Sequence, residues 1–338
     1  MPLDLGPLVP SFRRFQLVFI ALRLGLPELL AEGPRPLEEL VQFTGVPRDR
    51  LVRVMRGLIW AGVVMHDPEG FHLTEAAKSL ADGSSCSIAD DVLFNGHLFY
   101  RAWGHLHDYV ATGEEPFIGA HGRPVFELLG ESPGLAALFN GPMATRNGEY
   151  SSAIAGLSVL ADCETIVDVG GGEGQLVIDV LRARPNSKGV VFDIPACREA
   201  AKRRIVDQGL ASRCQFVCGD MFDSVPTGGD AYLLKWILHD WNDAKAERIL
   251  RSIRACMSPS SRLLVIERIM PEEIMASVPF AQADLNMLCL NGGKERTERQ
   301  YRDLLTVAGF VLEDVVPIEE DYGFRAMIAV PAESKTGR

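Results

Sequence analysis

The sequence lacks a long apolar run, which argues against a membrane-spanning protein. The apolar stretch nearest the N-terminus covers only residues 17–22, whereas a bilayer span needs about 20 apolar residues. The segment MPLDLGPLVPSFRRFQ carries an acid, prolines and arginines where a signal peptide needs a basic start and an unbroken apolar core. We therefore expect a cytoplasmic protein with no membrane partner.

The sequence has few cysteines, and its basic residues are fewer than its acidic residues. The seven cysteines are odd in number and scattered along 338 residues, which is not the pattern of a secreted disulfide framework. Cys214 and Cys218 lack a second Cys/His pair at ligand spacing, which argues against zinc. With 34 Lys and Arg against 45 Asp and Glu, the net charge is −11. This charge repels polyanions and makes nucleic acid an unfavourable partner.

Residues 35–75 have the pattern of a winged helix-turn-helix. PLEELVQF and RDRLVRVMRGLIWAG predict two helices, and VVMHDPEGFHLT predicts a hairpin. One interpretation is DNA binding, since the second helix carries Arg48, Arg50, Arg53 and Arg56. The other is a dimerisation and substrate-lid module. We favour the second, because acids slightly outnumber bases over residues 1–95 and DNA affinity needs many uncompensated cations.

The remaining chain predicts a helical segment followed by an α/β domain. Residues 96–160 show helical periodicity broken by glycine and proline loops. From residue 161 onward, short apolar strands alternate with amphipathic helices, which is typical of a parallel, doubly wound Rossmann-like sheet. FVLEDVVPI and FRAMIAVP are separated by a short acidic loop, so we expect these last strands to pair antiparallel. The predicted domains are 1–95, 96–160 and 161–338.

DVGGGEGQ is a glycine turn between a strand and a helix. It contains Asp168, Gly170, Gly172 and Gly174, and glycine is needed where the backbone reverses sharply or contacts a ligand. A dinucleotide fingerprint, G-x-G-x-x-G, requires glycine where this chain has Gln175. The turn therefore predicts a bound small molecule without specifying NAD.

Acids at successive strand ends narrow the choice of ligand. Asp193 ends the strand in VVFDIP, where a carboxylate can accept both hydroxyls of a ribose. Asp220 ends the strand in CGDMF, and Met221 follows it. Together with Asp168 these acids repel a pyrophosphate and attract a sulfonium and an amino group. S-adenosylmethionine thus fits better than NAD, unless these acids only cap helices.

LLKWILHDWND delivers His239 at the end of a predicted strand. By itself this residue could be an ordinary histidine before a helix cap at Asn242 or Asp243. Together with DVGGGEGQL, FDIP, GDMF and GGKERTE, however, the segment closely resembles the class I methyltransferases that methylate small aromatic hydroxyls, the plant caffeate and flavonoid type and its bacterial relatives. The resemblance covers nearly the whole chain. In that family the winged-helix module forms the dimer and closes over the partner's site.

The resemblance implies roles for individual residues. His239 matches the general base, and Glu267 and Glu295 match the acids that flank it. The implied cofactor residues are Gly170, Asp193, Asp220, Met221, Lys235 and Trp241, to which the glycine turn adds Asp168 and Gly172. The implied substrate residues are Phe139, Met143, Met287 and Asn291. Arg146 stands where plant members commonly carry histidine, and we expect it to pair with an acidic oxygen of the substrate.

The chemistry of phenol methylation explains why a histidine is wanted. A histidine of pKa about 6.5 takes a proton from a phenol of pKa about 10 only uphill, by roughly 4.8 kcal/mol. Neighbouring carboxylates that raise the histidine pKa reduce this barrier. Glu267 and Glu295 are expected to act in this way, while Asp240 is expected to face away from the ring.

Together with the resemblance, the sequence predicts an S-adenosylmethionine-dependent O-methyltransferase of aromatic secondary metabolism. The resemblance alone implies a homodimer. No metal is implied, because Asp220 lacks the adjacent acids of magnesium-dependent methyltransferases. Two alternatives stay open. One is a relative that keeps the cofactor but decarboxylates or hydroxylates its substrate. The other is a winged-helix regulator, whose DNA affinity falls with salt.

Overall fold

A computed structural model describes residues 6, 8–81, 88–132, 134–136, 138, 150–319 and 323–333. The chain divides into two compact units. The first comprises residues 1–101 and 132–142, and the second comprises 102–131 and 143–338. The three-part division expected from the sequence stays a prediction. Within the described ranges, no helix has the length and apolar character needed to cross a membrane.

The first unit is mainly helical. Its helices are α1 (Leu8–Arg23), α2 (Leu26–Ala31), α3 (Leu37–Thr44), α4 (Arg48–Ala61) and α5 (Ile88–Phe94). A 3-10 helix (Glu75–Ala81) and a π-helix (Asn95–Phe99) complete it, and α6 (Tyr100–Gly104) follows. The predicted hairpin is confirmed as strands β1 (Val64–Asp67) and β2 (Gly70–Leu73), which pair antiparallel.

The predicted pair of helices before the hairpin is also confirmed. Leu51, Met55 and Leu58 are fully buried along one face of α4, as their helical spacing predicts. Arg48, at the start of α4, forms an ion pair of 2.8 Å with Glu38. At least this arginine therefore has an acidic neighbour of its own.

The second unit is built around a seven-stranded sheet with strand order 5-4-3-6-7-9-8 among the described residues. Its strands are β3 (Thr165–Val169), β4 (Lys188–Asp193), β5 (Cys214–Cys218), β6 (Ala231–Lys235), β7 (Arg262–Arg268), β8 (Phe310–Pro317) and β9 (Phe324–Pro331). Strands β3 to β7 pair parallel, and β9 pairs antiparallel with β7 and β8. The predicted doubly wound sheet with an antiparallel C-terminus is confirmed.

The helices of this unit cover the sheet and extend before it. They are α7 (Leu106–Thr112), α8 (Pro116–His121), α9 (Val125–Glu131), α10 (Ser151–Ala155), α11 (Gln175–Ala183), α12 (Arg198–Asp207), α13 (Asp243–Cys256), α14 (Ile274–Ser277), α15 (Ala281–Asn291) and α16 (Glu298–Val307). Short 3-10 helices occupy Ser158–Leu160, Pro195–Cys197, Leu238–Asp240 and Val278–Phe280. Because β3, β4 and β6 are parallel neighbours, their carboxyl ends lie along one edge of the sheet, where ligands bind in this class of fold.

Candidate active site at the carboxyl edge of the sheet

The glycine turn joins β3 to α11 with a backbone that favours glycine. Gly170, Gly172 and Gly174 have φ values of 72°, 57° and 82°, which side-chain-bearing residues rarely adopt. A Cβ atom on Gly170 would lie 2.4 Å from Cδ1 of Ile237, whereas one on Gly172 would meet nothing within 4 Å. The turn therefore packs closely against the segment after β6 at one glycine and stays open at another.

Asp168 and Asp193 flank this turn. Asp168 lies within β3 and is 2% exposed, and its Oδ2 atom has no hydrogen-bond partner. Burial raises the pKa of Asp168 to about 7, against the opposing charge of Lys235 on the neighbouring strand. Asp193 accepts hydrogen bonds from the backbone N–H groups of Gly172 at 2.7 Å and Ile194 at 2.6 Å. Asp193 thus fixes the glycine turn as well as ending β4.

Asp220 and Met221 follow β5 in a different environment. Asp220 is exposed, and its Oδ1 atom accepts a hydrogen bond of 2.8 Å from the backbone N–H of Phe222. Met221 is half-buried against the sheet core. Asp168 and Asp193 both lie against the glycine turn, whereas Asp220 caps its own turn. That the three acids surround one ligand stays a prediction.

Trp241 is held in an aromatic cluster beside the sheet edge. Its ring centroid lies 4.9 Å from that of Phe222, edge-on, and 5.6 Å from that of Phe126. The Nζ atom of Lys245 lies 5.3 Å from the Trp241 ring centroid, within reach of a cation–π interaction. These neighbours fix the orientation of the indole.

The sequence indicated that His239 follows directly from β6, but the structure shows a turn between them. The strand ends at Lys235, Trp236 adopts a φ of 54°, and His239 lies in the 3-10 helix that follows. We define residues 237–241 as the His239 turn. Its buried backbone N–H groups donate to a carboxylate: Oε1 of Glu267 accepts from Ile237 at 3.0 Å and from Leu238 at 2.9 Å. The strand prediction was too long because residues 236–238 are apolar but form a capped turn.

The imidazole of His239 is surrounded by carboxylates. Its Nδ1 atom lies 3.2 Å from Oε1 of Glu295 and 3.7 Å from Oε2 of Glu267. Its Nε2 atom lies 3.7 Å from Oδ1 of Asp240. The expectation that Asp240 faces away was wrong, because the tight 3-10 turn brings this side chain back toward the ring. Of the two candidate caps, Asn242 and Asp243, the structure shows Asn242 in this role, since its side chain accepts a hydrogen bond from the Lys245 N–H.

The electrostatics of the cluster favour the imidazolium form. Burial by itself lowers the pKa of His239, but the charges of Glu267 and Glu295 outweigh it and raise this pKa to about 10. Burial raises the pKa of Glu267 to about 7 and that of Asp240 to about 6. For Glu295, the charge and hydrogen bond of His239 outweigh burial and lower the pKa. The cluster can therefore hold a proton on His239 and release it at high pH.

Glu295 reaches this cluster from the loop before α16. Although the surrounding segment KERTER is highly charged, Glu295 is 3% exposed, and its backbone N–H donates a hydrogen bond of 2.9 Å to Asp284 of α15. Thr297 and Gln300 form a capping box at the start of α16, just after Glu295. Gly293 lets the loop approach the His239 turn, since a Cβ atom there would lie 2.1 Å from the His239 carbonyl oxygen.

Arg296, Asp284 and Gly293 were not recognised as functional candidates from the sequence. Arg296 is fully buried and donates hydrogen bonds of 2.7 Å to the backbone carbonyls of Leu238 and Trp241. A charged residue in KERTER looks like surface, and only its place beside Glu295 in GGKERTE hinted at burial. Among the described residues, no group of three or more His, Cys, Asp or Glu is arranged to hold a metal ion.

Two of the predicted substrate residues lie on α15. Met287 is half-buried and Asn291 is 5% exposed, and their spacing of four residues places them on one face of the helix. The Nδ2 atom of Asn291 is buried without a hydrogen-bond partner. The other predicted substrate residues, Phe139, Met143 and Arg146, lie outside the described residues.

The sequence matches the family model described as "O-methyltransferase domain" over residues 103–311. The chain belongs to this O-methyltransferase family. It is 38% identical to the mitomycin biosynthesis 6-O-methyltransferase of Streptomyces lavendulae over 304 residues, which cover 89% of this chain and 86% of the relative. It is 35% identical to the phenazine O-methyltransferase PhzM of Lysobacter antibioticus, with 89% of both chains covered.

Solved structures of O-methyltransferases share the fold. The mitomycin 7-O-methyltransferase MmcR matches with a TM-score of 0.85 and 33% identity, covering 97% of each chain. The O-methyltransferase NcsB1 from neocarzinostatin biosynthesis, solved with S-adenosylmethionine and 2-hydroxy-5-methyl naphthoic acid, matches with a TM-score of 0.80 and 29% identity, covering 94% of this chain and 95% of that one. The Rossmann-like methyltransferase fold predicted for this O-methyltransferase is therefore confirmed.

Proposed function

We propose that this protein transfers a methyl group from S-adenosylmethionine to a hydroxyl of a small aromatic natural-product intermediate. The observation that carries the proposal is the position of His239. Its Nδ1 atom contacts Glu295 at 3.2 Å beside buried Glu267, at the sheet edge that holds the glycine turn. A proton acceptor with fixed orientation is what hydroxyl methylation requires. The similarity to NcsB1, solved with a naphthoic acid, supports an aromatic acceptor.

The residues at the sheet edge fit the cofactor. S-adenosylmethionine carries its methyl group on a positively charged sulfur and has no phosphate. The acids Asp168 and Asp193 suit that positive charge, and the buried Oδ2 atom of Asp168 still lacks a partner. Gly172 offers open backbone next to them. The proposed cofactor residues are Asp168, Gly170, Gly172, Asp193, Asp220, Met221, Lys235 and Trp241.

The raised pKa of His239 determines which acceptors react well. With a pKa of about 10, only about one imidazole in a thousand is neutral at pH 7 and able to take a proton. Reaching the neutral form at pH 7 costs about 4 kcal/mol, at about 1.36 kcal/mol per pKa unit for the roughly three units involved. A phenol that is already ionised avoids this cost, because the His239 cation then stabilises the bound phenolate directly. Acidic phenols are therefore the best acceptors at neutral pH.

The acceptor side of the site rests on α15. Met287 supplies a polarisable apolar surface for a flat ring, and the buried amide of Asn291 has a donor available for an oxygen of the acceptor. Phe139, Met143 and Arg146 stay predicted substrate residues. If Arg146 pairs with an acidic oxygen of the substrate, Arg146→Ala weakens acceptor affinity without weakening cofactor binding. Unchanged acceptor affinity in this variant would contradict the prediction.

We also propose a homodimer that forms through the first unit. Large apolar side chains are exposed on its helices, including Val9 (66% exposed), Phe12 (50%) and Trp60 (50%). Such residues are favoured at subunit interfaces. Light scattering after gel filtration should give about twice the mass of one chain, and a monomer at micromolar concentration would contradict the proposal. The cytoplasmic location stays a prediction.

Calorimetry followed by an acceptor screen tests the proposed function. The wild-type protein should bind S-adenosylmethionine with a Kd of about micromolar order, which corresponds to about −8 kcal/mol. A panel of phenols, hydroxynaphthoates and matched aromatic amines is then incubated with the cofactor and analysed by mass spectrometry. Methylated phenols with consumption of the cofactor support the proposal. Methylated amines alone would move the assignment to nitrogen, and absence of cofactor binding would overturn it.

A further inference from the structure

Arg296 donates hydrogen bonds to the His239 turn on both sides of the histidine. Its Nη1 atom donates to the Leu238 carbonyl and its Nη2 atom donates to the Trp241 carbonyl, each at 2.7 Å. These carbonyls belong to residues that bracket His239 in the chain. The guanidinium is fully buried, so water cannot readily replace it as the donor to these carbonyls. Its planar fork presents several donors at fixed angles, which suits two carbonyls of one tight turn.

The same guanidinium is anchored to the helix that follows the turn. Its Nε atom donates a hydrogen bond of 3.0 Å to Oδ1 of Asp243, the first residue of α13. Although partial burial alone raises the pKa of Asp243, hydrogen bonds from Lys294 and Arg296 outweigh it and lower this pKa. The buried cation is therefore paired with an ionised carboxylate, as a buried charge requires.

The backbone around Arg296 ties the remaining carboxylates to this arrangement. The Lys294 N–H donates a hydrogen bond of 2.9 Å to the His239 carbonyl. The Arg296 carbonyl accepts a hydrogen bond of 2.9 Å from the Met270 N–H. Met270 lies just beyond β7, the strand that carries Glu267. The short segment of residues 294–296, which includes Glu295, is therefore hydrogen-bonded both to the His239 turn and to the backbone just beyond the strand that carries Glu267.

We propose that Arg296 is a positioning residue that holds the His239 turn against Glu267 and Glu295. The proposal rests on the proposed function in so far as His239 is the proton acceptor. Apolar packing could fill the volume of Arg296, but it could not supply donors to the Leu238 and Trp241 carbonyls. Without Arg296, the Leu238 carbonyl keeps only a hydrogen bond of 3.2 Å from the Trp241 N–H, and the Trp241 carbonyl loses its Arg296 donor, both at a cost in free energy. The turn would relieve that cost by moving, and His239 would move with it.

The loop offers a matched control for this proposal. Lys294 binds the same acid as Arg296, with Nζ 2.7 Å from Oδ2 of Asp243. Lys294→Met therefore removes one positive charge from the same acid and the same loop without touching the Leu238 and Trp241 carbonyls. Arg296→Met removes charge and carbonyl donors together. Arg296→Lys keeps the charge but has no planar fork to bridge both carbonyls and Asp243.

The test is the pKa of His239 measured by NMR titration of histidine-labelled protein, with the signal assigned by His239→Gln. The imidazole faces Glu267 and Glu295 at Nδ1 and Asp240 at Nε2. The positive charges of Arg268 and Arg296 help to lower the pKa of Glu295. If the turn moves away from its acids, this pKa falls from about 10 toward 6.5, by about one unit or more. Loss of a nearby cation by itself would raise the His239 pKa, because removing a positive charge favours the imidazolium. A lowered His239 pKa in Arg296→Met and Arg296→Lys, with an unchanged or slightly raised His239 pKa in Lys294→Met, supports the proposal.

Several results would overturn the inference. An unchanged or raised His239 pKa in folded Arg296→Met or Arg296→Lys would show that Arg296 does not position the turn. A fall of equal size in Lys294→Met would show a general disturbance of the loop, because loss of the Lys294 charge by itself does not lower the His239 pKa. Arg296→Lys keeps a cation opposite Asp243, so it carries the test alone if Arg296→Met does not fold. Thermal unfolding of each variant checks the fold.

The titration requires no acceptor and no methyl transfer, so it separates two possible failures. If no hydroxyl is methylated but the His239 pKa falls as expected, the proposed function fails and the positioning role stands. Where an acceptor has been found, we expect Arg296→Lys to lower kcat by about tenfold or more with a smaller change in acceptor KM. A change confined to KM would contradict a role in positioning the proton acceptor.

Discussion

The Nδ1 atom of His239 lies 3.2 Å from Oε1 of Glu295, although the residues are 56 positions apart in the chain. The contact joins a capped turn after β6 to a loop before α16. Glu267 holds the backbone of the same turn from β7. The fold therefore assembles an imidazole and two carboxylates at the sheet edge that carries the glycine turn. Their mutual charges account for the raised pKa of His239.

The rate of methyl transfer should rise with pH. Since the pKa of His239 is about 10, the fraction of neutral imidazole grows about tenfold per pH unit between pH 7 and pH 9. Below the acceptor's own pKa, kcat with a weakly acidic phenol should rise with pH and level off near pH 10. An acceptor ionised below pH 7 should show little such dependence. A rate that falls steadily from pH 7 to pH 9 with a weakly acidic phenol would contradict this account.

The flanking carboxylates should set the position of that pH profile. Glu295→Gln removes a negative charge in contact with the imidazole, so the His239 pKa should fall by about one unit or more. The rising limb should therefore shift to lower pH, while the maximal kcat with a weakly acidic phenol decreases. Glu272→Gln, an exposed change in the same unit, serves as the control. An unshifted limb in Glu295→Gln would separate Glu295 from the proton acceptor.

Asp193 should govern cofactor affinity through the glycine turn. In Asp193→Asn, the amide NH₂ replaces one of the carboxylate oxygens that accept from Gly172 and Ile194. Donor then faces donor, at a cost of about 1–3 kcal/mol. Calorimetry should show S-adenosylmethionine binding weakened by about tenfold to a hundredfold. Asp223→Asn, at an exposed acid paired with Arg248, should bind normally. Normal binding in Asp193→Asn would remove Asp193 from the proposed cofactor site.

Gly170 and Gly209 allow steric crowding to be separated from backbone strain. Both have positive φ, 72° and 68°, but a Cβ atom on Gly170 would lie 2.4 Å from Ile237, whereas one on Gly209 meets nothing within 4 Å. Gly209→Ala should lower the free energy of unfolding by about 1–2 kcal/mol, the cost of the left-handed conformation alone. Gly170→Ala should cost more. Denaturant titration measures both, and equal losses would contradict the close packing at Gly170.

The alternation of apolar strands and amphipathic helices was sufficient to predict the sheet and its antiparallel end. The hairpin of β1 and β2 was also predictable, because it depends on a local turn sequence. By contrast, Trp236 lies in an apolar run that continues β6, yet it adopts a φ of 54° that no local sequence pattern indicates.

The candidate site was predictable in part. His239, Glu267 and Glu295 were identified through a family resemblance, and the structure brings all three together. Arg296 escaped notice because burial of a charged residue depends on partners distant in sequence, here the Leu238 and Trp241 carbonyls. Asp240 was misplaced for a related reason. A side chain's direction in a 3-10 turn follows from the turn geometry, which the sequence did not reveal.

The central claim is that His239 accepts the proton from the hydroxyl that is methylated. The most direct test is a single-turnover measurement of methyl transfer to a weakly acidic phenol, with saturating S-adenosylmethionine, in wild type and His239→Gln. We expect the variant to bind the cofactor normally and to react about a hundredfold or more slowly, the range for loss of a general base. Equal rates in the two proteins would contradict the claim and leave the fold without an assigned proton acceptor.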